Sequence, residues 1–185
     1  RLEIFLLGNF VILLDGVDIT EVLRTRKERA ILAYLAEEAP RIHAREAIAE
    51  FFWPDRPENY ARMNLRQALM GIRKALGSDE AAATFLRITE DTVQFNAQAA
   101  WLDTVTFNTH LDTVHNHHHP HLHSCDSCML HLEQAIEAYR GDFLQELLIG
   151  DLASFQEWAV FHRERHFRRM LETLRRDGFV KDYEL

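Results

Sequence analysis

The chain is poor in cysteine, glycine and proline, and it lacks any long hydrophobic run. Among its 185 residues there are two cysteines, seven glycines and four prolines, which excludes collagen-like sequence and Gly/Pro-rich disorder. No apolar stretch approaches the roughly 20 residues of a membrane-spanning helix. The apolar N-terminus is interrupted by Gly8, Asn9 and Asp15 and has no small-residue cleavage signature. We therefore expect no membrane span, no signal peptide, and a soluble, cytoplasmic chain.

Positive charge is also scarce, and it is unevenly distributed. The 21 basic and 29 acidic residues give a formal net charge of −8, which taken globally argues against nucleic-acid binding. Residues 1–100 carry a net charge of −2, and residues 101–185 carry −6. Any anion-binding surface must therefore be local and lie in the first part. With 47% apolar residues, the chain can bury the core of one large domain or two small ones.

The order of predicted elements divides the chain near residue 100. Apolar runs within residues 2–14, separated by turn residues, predict a meander of short antiparallel strands. Three helical patterns follow, the first from an N-cap at Thr25 to Pro40, then at 43–52 and at 58–76. The segment FLRITEDTVQF then predicts a hairpin. Only helical patterns come after it, at 103–114, 125–139 and 154–176, and the last nine residues resemble a turn and the start of another helix, as in a fragment of a longer protein.

The third helix is amphipathic and carries a row of guanidinium groups. At 100° per residue, one apolar stripe is formed by Ala61, Leu65, Ala68, Ile72 and Leu76. Arg62, Arg66 and Arg73 fall within about 40° of one another. The polar face is continued by Asn59, Gln67 and Lys74.

Two shorter helices before this one and a hairpin after it predict a winged helix-turn-helix. In that fold the third helix enters the DNA major groove, where Arg, Asn and Gln pair with base edges. Arg87 on the hairpin, and Arg26, Lys27 and Arg29 at the start of the first helix, could reach phosphates. The alternative is an ordinary solvated face that binds nothing.

Sequence segments spread over most of the chain resemble one family of bacterial regulators. The segments L-E-I-F-L-L-G-N-F, T-R-K-E-R-A-I-L-A-Y-L-A, F-F-W-P-D-R-P-E and A-R-M-N-L-R-Q-A-L-M-G-I-R-K-A-L resemble the OmpR/PhoB-type DNA-binding domain of SARP transcription activators. A-Y-R-G-D-F-L at 138–144 and F-Q-E-W-A-V-F-H-R-E-R at 155–165 resemble the bacterial transcriptional activation domain, or BTAD, that follows in that family. The resemblance implies an α+β winged helix-turn-helix in residues 1–100. It also implies an all-α, TPR-like domain, of which residues 101–185 are the N-terminal part.

The resemblance also assigns roles by position. It implies that residues 57–76 are the recognition helix. It implies that the loop at 53–58, with Trp53, Pro54 and Asp55, can face RNA polymerase. For Trp53 and Pro54 the alternative is a packed corner that ends the second helix. Phe155 and Trp158 are expected to be core aromatics rather than a binding site.

A His/Cys tract departs from the family pattern. Seven of the eleven histidines lie in residues 110–123, directly before Cys125-x-x-Cys128. Thiolates and imidazoles suit tetrahedral zinc, and we favour His117 and His119 as partners of the cysteines, with His121 and His123 as rivals. A solvated linker without metal is the main alternative, and a redox pair is a weaker one because the region is helical.

The functional prediction is a transcription activator, with double-stranded DNA and RNA polymerase as partners. The helical part would serve oligomerisation or polymerase contact. No enzyme is predicted, since H-E-x-x-H, G-x-S-x-G and a phosphate-binding glycine loop are all missing from the sequence, and no small-molecule substrate or membrane partner is implied. The only cofactor that the sequence suggests is structural zinc. Two alternatives are a protein-interaction module without DNA affinity and a metal-dependent enzyme that uses the His/Cys tract.

Overall fold

The N-terminal strands form a four-stranded sheet that a later strand completes. A computed structural model describes residues 1–118, 124–147, 149–150 and 152–176. Strands β1 (Leu2–Phe5), β2 (Val11–Leu14) and β3 (Val17–Asp18) form the predicted antiparallel meander. Asp15 and Gly16 between β2 and β3 have φ values of 50° and 80°, as a tight two-residue hairpin turn requires.

Three helices with the predicted order follow the meander. Helix α1 (Arg26–Glu37) begins at a capping box between Thr25 and Glu28, which satisfies two backbone donors at its start. Helix α2 (Arg45–Phe52) is shorter than predicted, because residues 42–44 form strand β4 (Ile42–Ala44) instead of its first turn. Helix α3 (Glu58–Ala75) has its predicted apolar stripe buried.

The wing is a three-stranded sheet. Strands β5 (Leu86–Ile88) and β6 (Thr92–Phe95) form the predicted hairpin, and β4 pairs with β6 on the other side. Between α3 and the hairpin lies a short helix, α4 (Asp79–Phe85), which begins at the side-chain cap of Ser78. No helix was predicted between the third helix and the hairpin, so α4 is an addition to the predicted order.

The second part of the chain is helical, with one correction at its start. Residues 100–102 form strand β7 (Ala100–Leu102), which pairs in parallel with β1. The domain boundary predicted at residue 100 therefore falls inside a strand, and Trp101 and Leu102 are not helical. Helices α5 (Asp103–Asn116), α6 (Asp126–Ala138) and α7 (Ala153–Arg176) follow, and residues 177–185 lie outside the described part. No helix among the described residues is long and apolar enough to cross a membrane.

Asp103 ties the N-terminal sheet to the start of α5. Its carboxylate is fully buried and accepts hydrogen bonds from the backbone N–H groups of Leu6 and Leu7 at 2.8–2.9 Å. The Arg140 guanidinium lies 3.7 Å from it. Burial raises the pKa of Asp103 to about 6, against the lowering effect of these amides and this cation. The two parts of the chain therefore share one framework.

A second junction joins α1 to α7. The buried Glu37 carboxylate accepts hydrogen bonds from His162 Nδ1 at 3.0 Å, His166 Nε2 at 2.9 Å and Arg165 at 2.9 Å. Trp158 Nε1 donates to the neighbouring carboxylate of Glu38 at 2.9 Å. Aromatic rings surround the cluster, as expected for the predicted core role of Phe155 and Trp158. This junction fixes the orientation of α1, against which α3 packs.

Candidate nucleic-acid interface

Helix α3 presents a cationic face to solvent. The helix carries four cations and a single acid, although the chain as a whole has a net charge of −8. The exposed polar side chains of this face are those of Asn59, Arg62, Arg66, Gln67 and Lys74, with Arg73 half-buried at its edge. The predicted site residues of the third helix are therefore brought together on one surface.

The three arginines differ in their existing partners. Arg62 forms an ion pair with Glu58 at 3.0 Å, one turn earlier in the same helix. Arg73 forms one with Asp79 at 2.8 Å. Arg66 has no hydrogen-bonding or ion-pair partner among the residues that the structure describes. Arg66 is therefore the guanidinium best placed to bind a ligand without breaking an existing contact.

Two methionines lie in the middle of this face, and the sequence analysis missed them. Met63 and Met70 are 45% and 69% exposed. At 100° per residue they project between Arg66 and Lys74. Exposed apolar groups among cations suit the methyl group of thymine in the major groove. The helical wheel places both methionines on this face. The sequence did not identify them as site residues, because methionine more commonly fills gaps in a protein core.

The wing tip is acidic. Glu90 and Asp91 are exposed in the β5–β6 turn, and they line a cleft that also contains Arg62 and Arg66. Arg45, at the start of α2, holds the tip in place by donating to the carbonyls of Thr89 and Glu90 at 3.0 and 3.2 Å. Arg87 is exposed on β5. Any polyanion bound along α3 would therefore meet repulsion from two carboxylates.

Neutralising the wing tip should strengthen DNA binding. We expect the double substitution Glu90→Gln and Asp91→Asn to raise affinity for duplex DNA by about three- to tenfold, because two like charges near the phosphates are removed. Fluorescence anisotropy at low and high salt measures the change. The gain should shrink as salt rises. The pair Glu133→Gln and Glu137→Gln on α6 serves as the control, and an equal gain there would show a non-specific charge effect.

The cations at the start of α1 occupy different surroundings. Lys27 donates to the carbonyl oxygen of Phe52 at 3.0 Å and lies 5.1 Å from the centre of the Trp53 ring. Arg29 donates to the Leu23 carbonyl and pairs with Glu21. Arg26 is exposed as the first residue of α1. Lys27 therefore stabilises the end of α2, which the sequence analysis did not anticipate.

The loop after α2 combines a packed corner with an exposed tip. Trp53 is half-buried against the Phe52 ring at 6.3 Å, as the packed-corner alternative proposed. Pro54 and Asp55 are exposed. All three line a groove that also includes Lys27 and, from α3, Tyr60. The predicted polymerase-facing residues therefore share one concave surface beside α3.

Two groups of side chains have the composition of metal ligands. His117, Cys125 and Cys128 bring their ligand atoms within 4.8 Å of one another, and His119, the predicted fourth ligand, lies outside the described residues. Glu37, His162 and His166 form the other group. There the Arg165 guanidinium already donates to the same carboxylate oxygen at 2.9 Å. A cation at that oxygen disfavours a metal ion, so we interpret this group as a hydrogen-bonded junction.

Comparisons with known proteins agree with this arrangement. The family model described as transcriptional regulatory protein, C terminal, matches residues 20–91. The solved structure of Mycobacterium tuberculosis EmbR in complex with a low affinity phosphopeptide has a TM-score of 0.71 and 21% sequence identity. That match covers 94% of this chain and 45% of the EmbR chain, so the chain spans less than half of that protein. No curated protein matches the sequence.

The matched segment runs from the residues before α1 to the tip of the wing and includes all of α3. The predicted winged helix and the helical part after it are both confirmed as fold. Residues 20–91 thus match the family model of transcriptional regulatory proteins, in a chain whose fold is similar to that of the EmbR structure.

Proposed function

We propose that the chain is a DNA-binding transcription activator whose α3 helix enters the major groove. The observation that carries this proposal is the exposed cationic face of α3 in an otherwise acidic protein. Arg66 pairs with a base edge, most simply with the O6 and N7 of guanine. Asn59, Gln67 and Lys74 extend the contact along the groove, and Met63 and Met70 contact thymine methyl groups.

The residues around α3 position the domain on the duplex. Arg87 on the wing contacts a phosphate, and Arg26 contacts another from the start of α1. Arg62 and Arg73 share their guanidinium groups between their acidic partners and the DNA. Lys27 contributes indirectly, because its ammonium group contacts the Phe52 carbonyl oxygen and the Trp53 ring and so stabilises the loop after α2.

The contact with RNA polymerase belongs to the groove beside Trp53. Pro54 and Asp55 are exposed there, next to the N-terminus of α3, so a protein bound in the groove would sit beside the DNA. The helical part, α5 to α7, supports oligomerisation or this polymerase contact. Hydrogen bonds from His162 and His166 to Glu37 connect this part to α1.

One observation favours a second candidate function. The acidic wing tip and the net charge of −8 suit a winged helix that binds proteins and has no DNA affinity. Enzymatic use of the His/Cys tract has less support, because a catalytic metal needs an open position and a positioned base.

Selection from a random duplex library, followed by titration at several salt concentrations, separates these functions. A regulator should enrich a defined sequence, and the logarithm of its affinity should fall with the logarithm of salt with a slope of about −4 to −5, as expected for about five phosphate contacts. No enriched sequence, and no binding at about 50 mM salt, would leave the protein-interaction module as the better account.

A further inference from the structure

We infer that His117, Cys125 and Cys128 form a structural zinc site that ties the end of α5 to the start of α6. His117 is the C-cap residue of α5, Cys125 is the N-cap residue of α6, and Cys128 lies in the first turn of α6. The three residues therefore come from the two helix ends that residues 118–124 connect. This site is independent of the proposed DNA interface.

The distances fit a tetrahedral zinc ion. Zn–S and Zn–N bonds of about 2.3 and 2.0 Å place a nitrogen and a sulfur ligand about 3.5 Å apart. His117 Nδ1 lies 3.5 Å from Cys125 Sγ and 2.9 Å from Cys128 Sγ. Binding would therefore require the second of these distances to widen by only about 0.6 Å, while the first already matches.

Both cysteines lie at the N-terminal end of α6. Backbone N–H groups in the first turn of a helix point toward its N-terminus, and the helix dipole stabilises negative charge there. Cys125 and Cys128 occupy this turn, and the Cys125 side chain makes no capping hydrogen bond. Cys128 is only 1% exposed, so a metal ion bound there would tie a buried position of α6 to the end of α5.

The ligand set selects the metal. Two thiolates and an imidazole suit zinc and disfavour magnesium or calcium, which prefer oxygen ligands. The structure describes three of the ligands, and the fourth ligand that the sequence analysis favours, His119, lies outside the described residues. The role that we assign to the site is structural, because its ligands come from the end of α5 and the start of α6.

The site stabilises the packing of the helical part. Helices α5 and α6 make the most extensive contact between any two elements of the described structure, and they are joined by a histidine-rich connection. Helix α5 also contacts α7. Arg169 on α7 donates a hydrogen bond to Asn108 of α5 at 2.9 Å and forms an ion pair with Asp112 of the same helix. Fixing α5 against α6 thus also supports α7.

Zinc content of the full chain, purified without an affinity tag and under reducing conditions, tests the proposal. We expect about one zinc per chain by elemental analysis, and less than about 0.2 in Cys125→Ser. Serine is a preferred N-cap residue, so this substitution should preserve α6. Ser127→Ala, in the same helical turn, is the matched control and should keep its zinc. Circular dichroism should show that both variants are folded.

The melting temperature provides the second readout. A chelator should lower it by about 5–10 °C in the wild type and leave Cys125→Ser unchanged. Cobalt substitution should give thiolate-to-metal charge-transfer absorption in the wild type only. Zinc retained in full by Cys125→Ser would show that the histidine tract binds metal by itself, and a metal-free wild type would show that the tract is a linker. Either result overturns the proposed site.

Discussion

Replacing Glu37 by glutamine should lower the free energy of unfolding by roughly 3–5 kcal/mol, the largest stability effect we expect. The Glu37 side chain is 2% exposed and accepts hydrogen bonds from two histidines and an arginine. Removing its charge leaves these donors beside a neutral amide in a buried site. Because the bonds join α1 to α7, the loss should weaken the whole fold and not one helix alone.

Chemical denaturation monitored by circular dichroism measures this change. Glu50→Gln is the matched control, since Glu50 is an exposed carboxylate on α2, and its effect should stay within about 0.5 kcal/mol. Equal stabilities of the Glu37→Gln variant and the wild type would show that the junction contributes nothing. An Arg165→Ala variant should cost less, because this guanidinium is 48% exposed.

The Glu37 junction also predicts acid sensitivity. Burial would raise the pKa of Glu37, but hydrogen bonds and charge from His162 and His166 lower it to about 2, from an ordinary value of 4.5. As the pH falls, the Glu37 carboxylate of the unfolded chain binds a proton at a higher pH than that of the folded chain. The stabilisation is therefore fully present above about pH 4.5 and is lost as the pH falls toward 2. The wild type should therefore lose stability over this range more steeply than Glu37→Gln, which has no proton to bind at this site.

Replacing Arg62, Arg66 and Arg73 together by alanine should weaken binding to a selected duplex by at least about 100-fold. Each base-contacting arginine contributes on the order of 1–3 kcal/mol. Arg66→Ala should be the most damaging single change, because Arg62 and Arg73 are already paired with Glu58 and Asp79. Anisotropy titrations of the single and triple variants measure these losses.

The chain offers a close control for this experiment. Arg168 pairs with Glu164 at 3.1 Å, one helical turn earlier, in the same way that Arg62 pairs with Glu58 at 3.0 Å. Arg168→Ala on α7 removes an equal charge far along the sequence from α3 and should leave affinity unchanged. If the triple variant is folded and binds as well as the wild type, α3 is not the recognition helix.

Local signals made much of the fold predictable. The capping box at Thr25 and Glu28 and the apolar stripe of α3 depend on residues a few positions apart, so the sequence pattern alone identifies them. The hairpin at residues 86–95 was predictable in the same way. The convergence of His117 on Cys125 and Cys128 also followed from short spacings along the chain.

Features that depend on distant partners were not predictable. Strand β7 exists because it pairs with β1, about a hundred residues earlier, and β4 exists because it pairs with β6. The Glu37 junction joins residues more than 120 positions apart. The hydrophobic periodicity of a segment does not show which distant strand it pairs with. For this reason the predicted boundary at residue 100 falls inside β7.

Methylation interference on the selected duplex tests whether α3 contacts bases in the major groove. Methylation of guanine N7 modifies only the major-groove edge of the base, where we expect Arg66 to bind. We predict that at least one N7-methylated guanine within the site abolishes wild-type binding, and that Arg66→Ala no longer distinguishes methylated from unmethylated DNA there. Tight, sequence-specific binding that no N7 methylation affects would contradict recognition by α3 in the major groove.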